Sequence, residues 1–216
     1  MPGAPTTRRS ARRLGVEQRR TEILEAARRV LLGRGLTGTR VGDVADALGV
    51  STGLIHYHFA SKDDLLVETL RFAADADIRR LEKSMASGAD AVERLDRVLR
   101  EYLPARRDDP SWLLWIDVWG SALREPGMRE ISEELDAAWV AVLERTIADG
   151  VQERRFRCDD AAGAAWRLAC LMDGLGLQVV LHRSTLSRAR MLDHARTAAA
   201  RELGLRRDAL PAGRSA

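Results

Sequence analysis

Cysteine and lysine are scarce in this chain, with two of each among 216, and aromatic residues make up only 5%. Two thiols, Cys158 and Cys170, cannot form a disulfide scaffold or a cysteine-rich zinc site, and both are expected in the core. No run of about 18 uncharged apolar residues occurs, so no membrane span is expected. The opening MPGAPTTRRSARR is basic but lacks the apolar stretch of a secretory signal, which makes a cytoplasmic location the expectation. Gly-x-Ser-x-Gly, Cys-x-x-Cys and phosphate-loop patterns are all missing, and His182 and His194 stand apart. The reading is therefore not an enzyme, and no metal or cofactor is expected.

What the chain has in abundance is arginine, thirty-three residues of it. Six (Arg8, Arg9, Arg12, Arg13, Arg19, Arg20) fall in the first twenty positions against one acid, Glu17, so the net charge of +3 divides into +5 there and −2 elsewhere. Such a basic end is either a solvated tail or an arm for nucleic acid, and the neighbouring residues must decide.

Strand signals are nearly absent, whereas apolar residues recur at three and four, which predicts an all-α chain of about nine helices. Ile23, Ala26, Ala27, Val30 and Leu31 line one face of a helix over 17–34, with Gly35 as its stop. Short helices are expected at 41–48 and 52–58. Longer ones come after them at 61–84, 92–103, 110–124, 128–153, 159–182 and 186–203. The pattern divides into a basic tail (1–16), a group of three helices (17–60), a longer helical part (61–205) and a frayed C-terminal tail (206–216).

The segment 41–58 has helix-turn-helix spacing. Ala45 is small where two helices must cross, Gly49 suits the turn, Val44, Leu48, Val50 and Ile55 fill the wedge, and Ser51 is placed to cap the second helix. The longer run RRTEILEAARRVLLGRGLTGTRVGDVADALGVSTGLIHYHFASKDDLLVETL resembles the DNA-binding region of TetR-family transcriptional regulators in order, spacing and residue type.

That resemblance implies a DNA-binding domain over 17–60, a ligand-binding and dimerisation domain over 61–205, and a homodimer that reads a near-palindromic double-stranded operator and is released from it, as a repressor, by a small-molecule effector. It implies a helix cap at Thr39, a phosphate or base contact at Arg40, and an opening of the recognition helix at Ser51, Thr52 and Gly53. Tyr57, His58 and Lys62 match the family's backbone clamp and Phe59 its buried anchor. His56 stands where tyrosine is usual, and Gly42 where a longer polar residue is common. His56 and His58, two apart, point about 200° from each other around a helix, so they do not make a metal pair.

Farther on, WLLWIDVWGSALREPGMREI and LACLMDGLGLQVVLHR are similar to C-terminal domains of the BetI-like branch, whose members answer to choline-related or other small ligands. Asp117 and Asp173 each sit in an apolar helix, where a carboxylate needs a partner or a cation. With Trp115, Trp119 and Trp166 they form a candidate cage for an amine or quaternary ammonium. Pairing of either acid with Arg167, a neutral or acyl ligand, and control by a protein partner are the alternatives. A stripe of Ala161, Ala164, Ala165, Leu168, Leu171, Leu175 and Val179, with Leu192, Ala195, Ala199 and Leu203, is the expected dimer interface.

Overall fold

A computed structural model describes residues 6–85, 90–182, 186–206 and 208–210, with the backbone alone over 6–14. Among the described residues there are nine α-helices and no strand: α1 (Thr6–Gly38), α2 (Val41–Leu48), α3 (Thr52–His58), α4 (Lys62–Met85), α5 (Ala91–Tyr102), α6 (Pro110–Ala122), α7 (Pro126–Gln152), α8 (Ala161–Leu181) and α9 (Arg188–Glu202). Most bounds fall within two residues of the periodicity. The first does not, because helix runs unbroken from Thr6 through the expected tail; the side chains of Arg8, Arg9, Arg12 and Arg13 lie outside the described residues.

The chain groups into two compact units, and neither is a continuous stretch. The first takes residues 1–73 and 117–131, the second 74–116 and 132–216. A division at residue 60 therefore misses both the shared helix α4 and the return of 117–131 to the first unit.

The first unit is built on Ile23, Ala26, Ala27, Val44, Ala45, Ile55, Phe59 and Leu65, all at most 2% exposed. Gly49 ends α2 in the left-handed region (φ 66°), and the Val50 N–H reaches back to the Ala45 carbonyl at 3.0 Å, closing the turn between α2 and α3. At the start of α4, the Ser61 hydroxyl accepts from the Asp64 N–H (3.0 Å) while the Asp64 carboxylate accepts from the Ala60 N–H (2.9 Å). This reciprocal capping fixes the corner that Lys62 occupies.

The second unit packs α5, α8 and α9 around Leu95, Leu99, Leu143, Leu168, Met172 and Ala195. Asp160 and Ser187 cap α8 and α9 by accepting from the Gly163 and Arg190 N–H groups. Asp96 and Arg196, both under a tenth exposed, pair at 2.7 Å between α5 and α9, and Arg100 joins the same carboxylate at 3.2 Å. The expected fraying after 205 is partly corrected: Leu210 is buried against this core, and residues 207 and 211–216 lie outside the described residues.

The expected dimer stripe is corrected for most of its residues, Leu171 being exposed and Ala161 and Leu175 partly buried. Ala164, Ala165, Leu168, Val179, Leu192, Ala195, Ala199 and Leu203 are buried in the chain's own core. The apolar surface that α8 leaves exposed is its opposite face, with Trp166, Cys170, Gly174 and Leu181. Apolar on both sides, α8 is the one described helix long and apolar enough to cross a membrane by length and composition.

Candidate nucleic-acid interface and ligand site

The first unit exposes polar groups along the start and outer side of α3. Ser51 is the N-cap residue, but its hydroxyl makes no capping bond, contrary to the expectation; the turn closes instead through the Leu54 N–H and the Ser51 carbonyl. The hydroxyls of Ser51 and Thr52 are exposed beside Gly53, next to the first N–H groups of the helix. His56 is exposed, Tyr57 is 71% exposed, and His58 is half-buried with its ring edge-on to Tyr57 at 5.1 Å. An exposed tyrosine this large on a solvent face makes no contribution to the core.

Lys62, half-buried, opens α4 one turn later. Phe59 lies beneath this surface at 1% exposure, with the Arg20 guanidinium 4.9 Å from its ring centroid. Arg20 in turn pairs with Glu68 at 2.7 Å, and that ion pair, with Arg71, holds the Glu68 carboxyl below its ordinary range. Arg20 is thus engaged in the fold rather than free in a basic tail.

Thr39 is not the cap of α2. It is 1% exposed and its hydroxyl donates backward to the Gly35 carbonyl at 2.8 Å. The N-cap residue is Arg40, exposed, whose N–H donates to the Asp43 carboxylate at 3.0 Å. The resemblance implies a cap at Thr39; burial directs its hydroxyl to the preceding turn instead.

The five residues of the expected cage do not fall in one unit. Asp117 and Trp119 belong to the first, Trp115, Trp166 and Asp173 to the second. Asp117 is exposed rather than buried, and its Oδ2 accepts from the Leu36 N–H at 3.2 Å. Trp166 is 55% exposed on the outer face of α8, while Trp115 and Trp119 are half-buried. Arg167 pairs with Glu202 at 2.9 Å, not with Asp173.

Asp173 alone has the surroundings expected of a cage carboxylate. Its Oδ1 accepts from the Tyr102 hydroxyl at 2.9 Å, and that is the partner found for it among the described residues. Burial pushes its carboxyl above the ordinary range, the tyrosine bond opposing the shift in part. Tyr102 is pushed far above its ordinary value, first by burial and then by Asp173, with Asp136 and Cys170 adding to the effect, so it stays protonated and donates. The Trp139 ring meets Tyr102 edge-on at 5.7 Å, and the Trp112 indole N–H donates to the Tyr102 carbonyl at 3.1 Å.

A carboxylate, a phenol and two indoles thus come together from α5, α6, α7 and α8. Tyr102 and Trp139 were not among the expected site residues. Tyr102 had a readable signal, since a tyrosine in an apolar helical stripe must find an acceptor for its hydroxyl.

Two family descriptions match this chain: bacterial regulatory proteins of the tetR family over residues 23–69, and the C-terminal domain of BetI-type transcriptional repressors over residues 91–204. The transcriptional repressor KstR2 of Rhodococcus jostii (strain RHA1) is 31% identical over 157 residues, 71% of this chain and 75% of that one. The transcriptional regulator BetI of Burkholderia thailandensis is 29% identical over 175 residues, 78% of this chain and 86% of that one. A transcriptional regulator from Saccharomonospora viridis, solved in complex with choline, is 35% identical, with a TM-score of 0.70 over 83% of this chain and 94% of that one.

Proposed function

We propose a function from the premise that this chain belongs to the TetR family of transcriptional repressors, its C-terminal part being of the BetI type. It holds a near-palindromic operator as a homodimer in the cytoplasm and leaves it when an organic cation binds in the second unit. Arg40, Ser51, Thr52, Gly53, His56, Tyr57, His58 and Lys62 make the DNA contacts. Arg40 and Lys62 neutralise phosphates, while the hydroxyls and first N–H groups of α3 meet phosphates or base edges in the major groove.

The exposed apolar face of α8, from Trp166 to Leu181, is the surface on which two copies join. A twofold axis there repeats the recognition helix at the spacing of two half-sites, about 34 Å or a multiple of it. Cation binding shifts the population toward an arrangement whose half-site spacing no longer fits.

The observation that carries the ligand class is Asp173: a partly buried carboxylate raised by desolvation, bonded to a tyrosine whose ring meets that of Trp139, and paired with no basic side chain among the described residues. An external cation supplies the missing charge, and the rings of Tyr102 and Trp139 attract it through their faces. The choline held by the Saccharomonospora viridis protein supports the same class.

The test is thermal denaturation of the full-length protein with choline and with choline's uncharged carbon isostere. At a hundred times its dissociation constant choline should add about 2.7 kcal/mol, and the isostere far less. Equal stabilisation by both compounds, or by neither, would remove the cation from this reading.

A further inference from the structure

We infer that Asp117 is a positioning residue for DNA recognition, its carboxylate fixing the junction between α1 and α2 from which Arg40 meets DNA. The inference rests on the DNA-binding reading and assigns Asp117 a role other than a ligand contact. The junction begins with a break. Gly35 interrupts α1 with φ 72° and ψ 175°, after which residues 36–38 resume helical geometry. A resumed turn begins with N–H groups that have no carbonyl behind them. The first of these, on Leu36, belongs to a residue only 5% exposed, where water is a poor substitute. Asp117 Oδ2 accepts it at 3.2 Å, and both residues lie in the first unit.

Three contacts secure this junction. Thr39, 1% exposed, donates to the Gly35 carbonyl at 2.8 Å, and Arg34 pairs with Asp43 at 2.9 Å across the break. Both join residues within ten positions of one another, so they move with the junction. The bond from Asp117 spans 81 positions and comes from α6. It therefore ties the junction to something outside the helix-turn-helix. Arg40 is the next residue after Thr39 and opens α2, so the placement of the junction sets the placement of the first expected DNA contact. Gly35 is fitted to the same purpose: besides the left-handed φ, a Cβ there would stand 2.6 Å from Asp117 Oδ2.

The test uses the full-length protein and a DNA duplex that the wild type enriches from a random-sequence pool. Failure to enrich any duplex would count against DNA binding itself, a result distinct from failure of the positioning role. Asp117→Ala should bind the enriched duplex about tenfold more weakly and expose the Leu36 amide to faster hydrogen exchange, since a buried donor has been deprived of its acceptor. Asp117→Asn keeps an acceptor oxygen and should restore most of both.

Gly35→Ala should weaken binding in the wild-type background, and by a smaller factor once Asp117 is alanine, because the clash with the carboxylate is gone. Unchanged affinity and unchanged Leu36 protection in Asp117→Ala would overturn the assignment. So would equal losses in the alanine and asparagine variants. If Asp117→Ala does not fold, Asp117→Glu, which keeps the charge but displaces the acceptor, takes its place: weaker binding with faster Leu36 exchange supports the assignment, and wild-type values of both overturn it.

Discussion

The outer side of α3 and the interior around Asp173 handle polar groups in opposite ways. On α3 the hydroxyls of Ser51 and Thr52 and the rings of His56 and Tyr57 are left in water, uncommitted to the fold. Around Asp173 the polar atoms are few, sunk among apolar side chains, and bonded to one another. A surface that reads DNA shares its affinity among many solvated contacts, each modest and screened by salt. An interior that holds a small ligand concentrates affinity in one desolvated charge, where a single atom decides the outcome. The same protein is expected to be tolerant on one side and brittle on the other.

The contrast can be pressed hardest in the interior of the second unit. Arg196→Met leaves Asp96 buried with only the half-exposed Arg100 at its other oxygen, and should cost about 3 kcal/mol in urea unfolding. A loss near zero would show that buried charge is handled here as cheaply as surface charge. Next comes Asp173→Asn, which removes the charge and leaves shape and Tyr102 in place; choline affinity should fall by about 2 kcal/mol, or roughly 30-fold, by calorimetry. DNA affinity without choline should stay as it was.

On the solvated side, Arg40→Ala or Lys62→Ala should weaken binding across all DNA sequences and lower the slope of log K against log salt by about 0.9 for each phosphate no longer neutralised. A relaxed sequence preference with an unchanged slope would mean the residue reads a base.

The smallest effect is in pH. Burial raises the folded carboxyl of Asp173 above its unfolded value, so the folded protein takes up this proton first as pH falls. Ligand-free stability should therefore rise as pH drops through the raised value, with no further gain below the unfolded one. Choline affinity should decline over the same interval. Asp173→Asn should flatten both curves.

The helix-turn-helix was legible because its determinants are local. Ala45 acts with the Gly49–Val50 turn, and Ser61 with Asp64, each within five residues, and spacing alone reveals them. The opposite holds for α8. Because it is apolar on both faces, periodicity could not say which side turns inward, and most of the small-residue stripe expected between two copies is the chain's own core. Asp117 and Asp173 were indistinguishable as lone acids in apolar helices. What separates them is a partner 81 positions away in one case and 71 in the other, a distance no local pattern encodes. The helical start at Thr6 was missed for another reason, since a run of arginines reads equally well as solvated coil or as helix.

The return of residues 117–131 to the first unit also bears on how the molecule can be dissected. Stopping the chain after residue 73 would look like a clean way to express the DNA-reading half by itself. Such a fragment would keep α1, α2 and α3 in full, yet it would strand the Leu36 amide and strip away Val118, Met128 and Ile131, each at most 3% exposed in the whole chain. A faithful miniature would need two excisions and a splice. For the same reason, exchanging sensor halves between relatives at a single crossover would deliver a reading head built partly from the other parent.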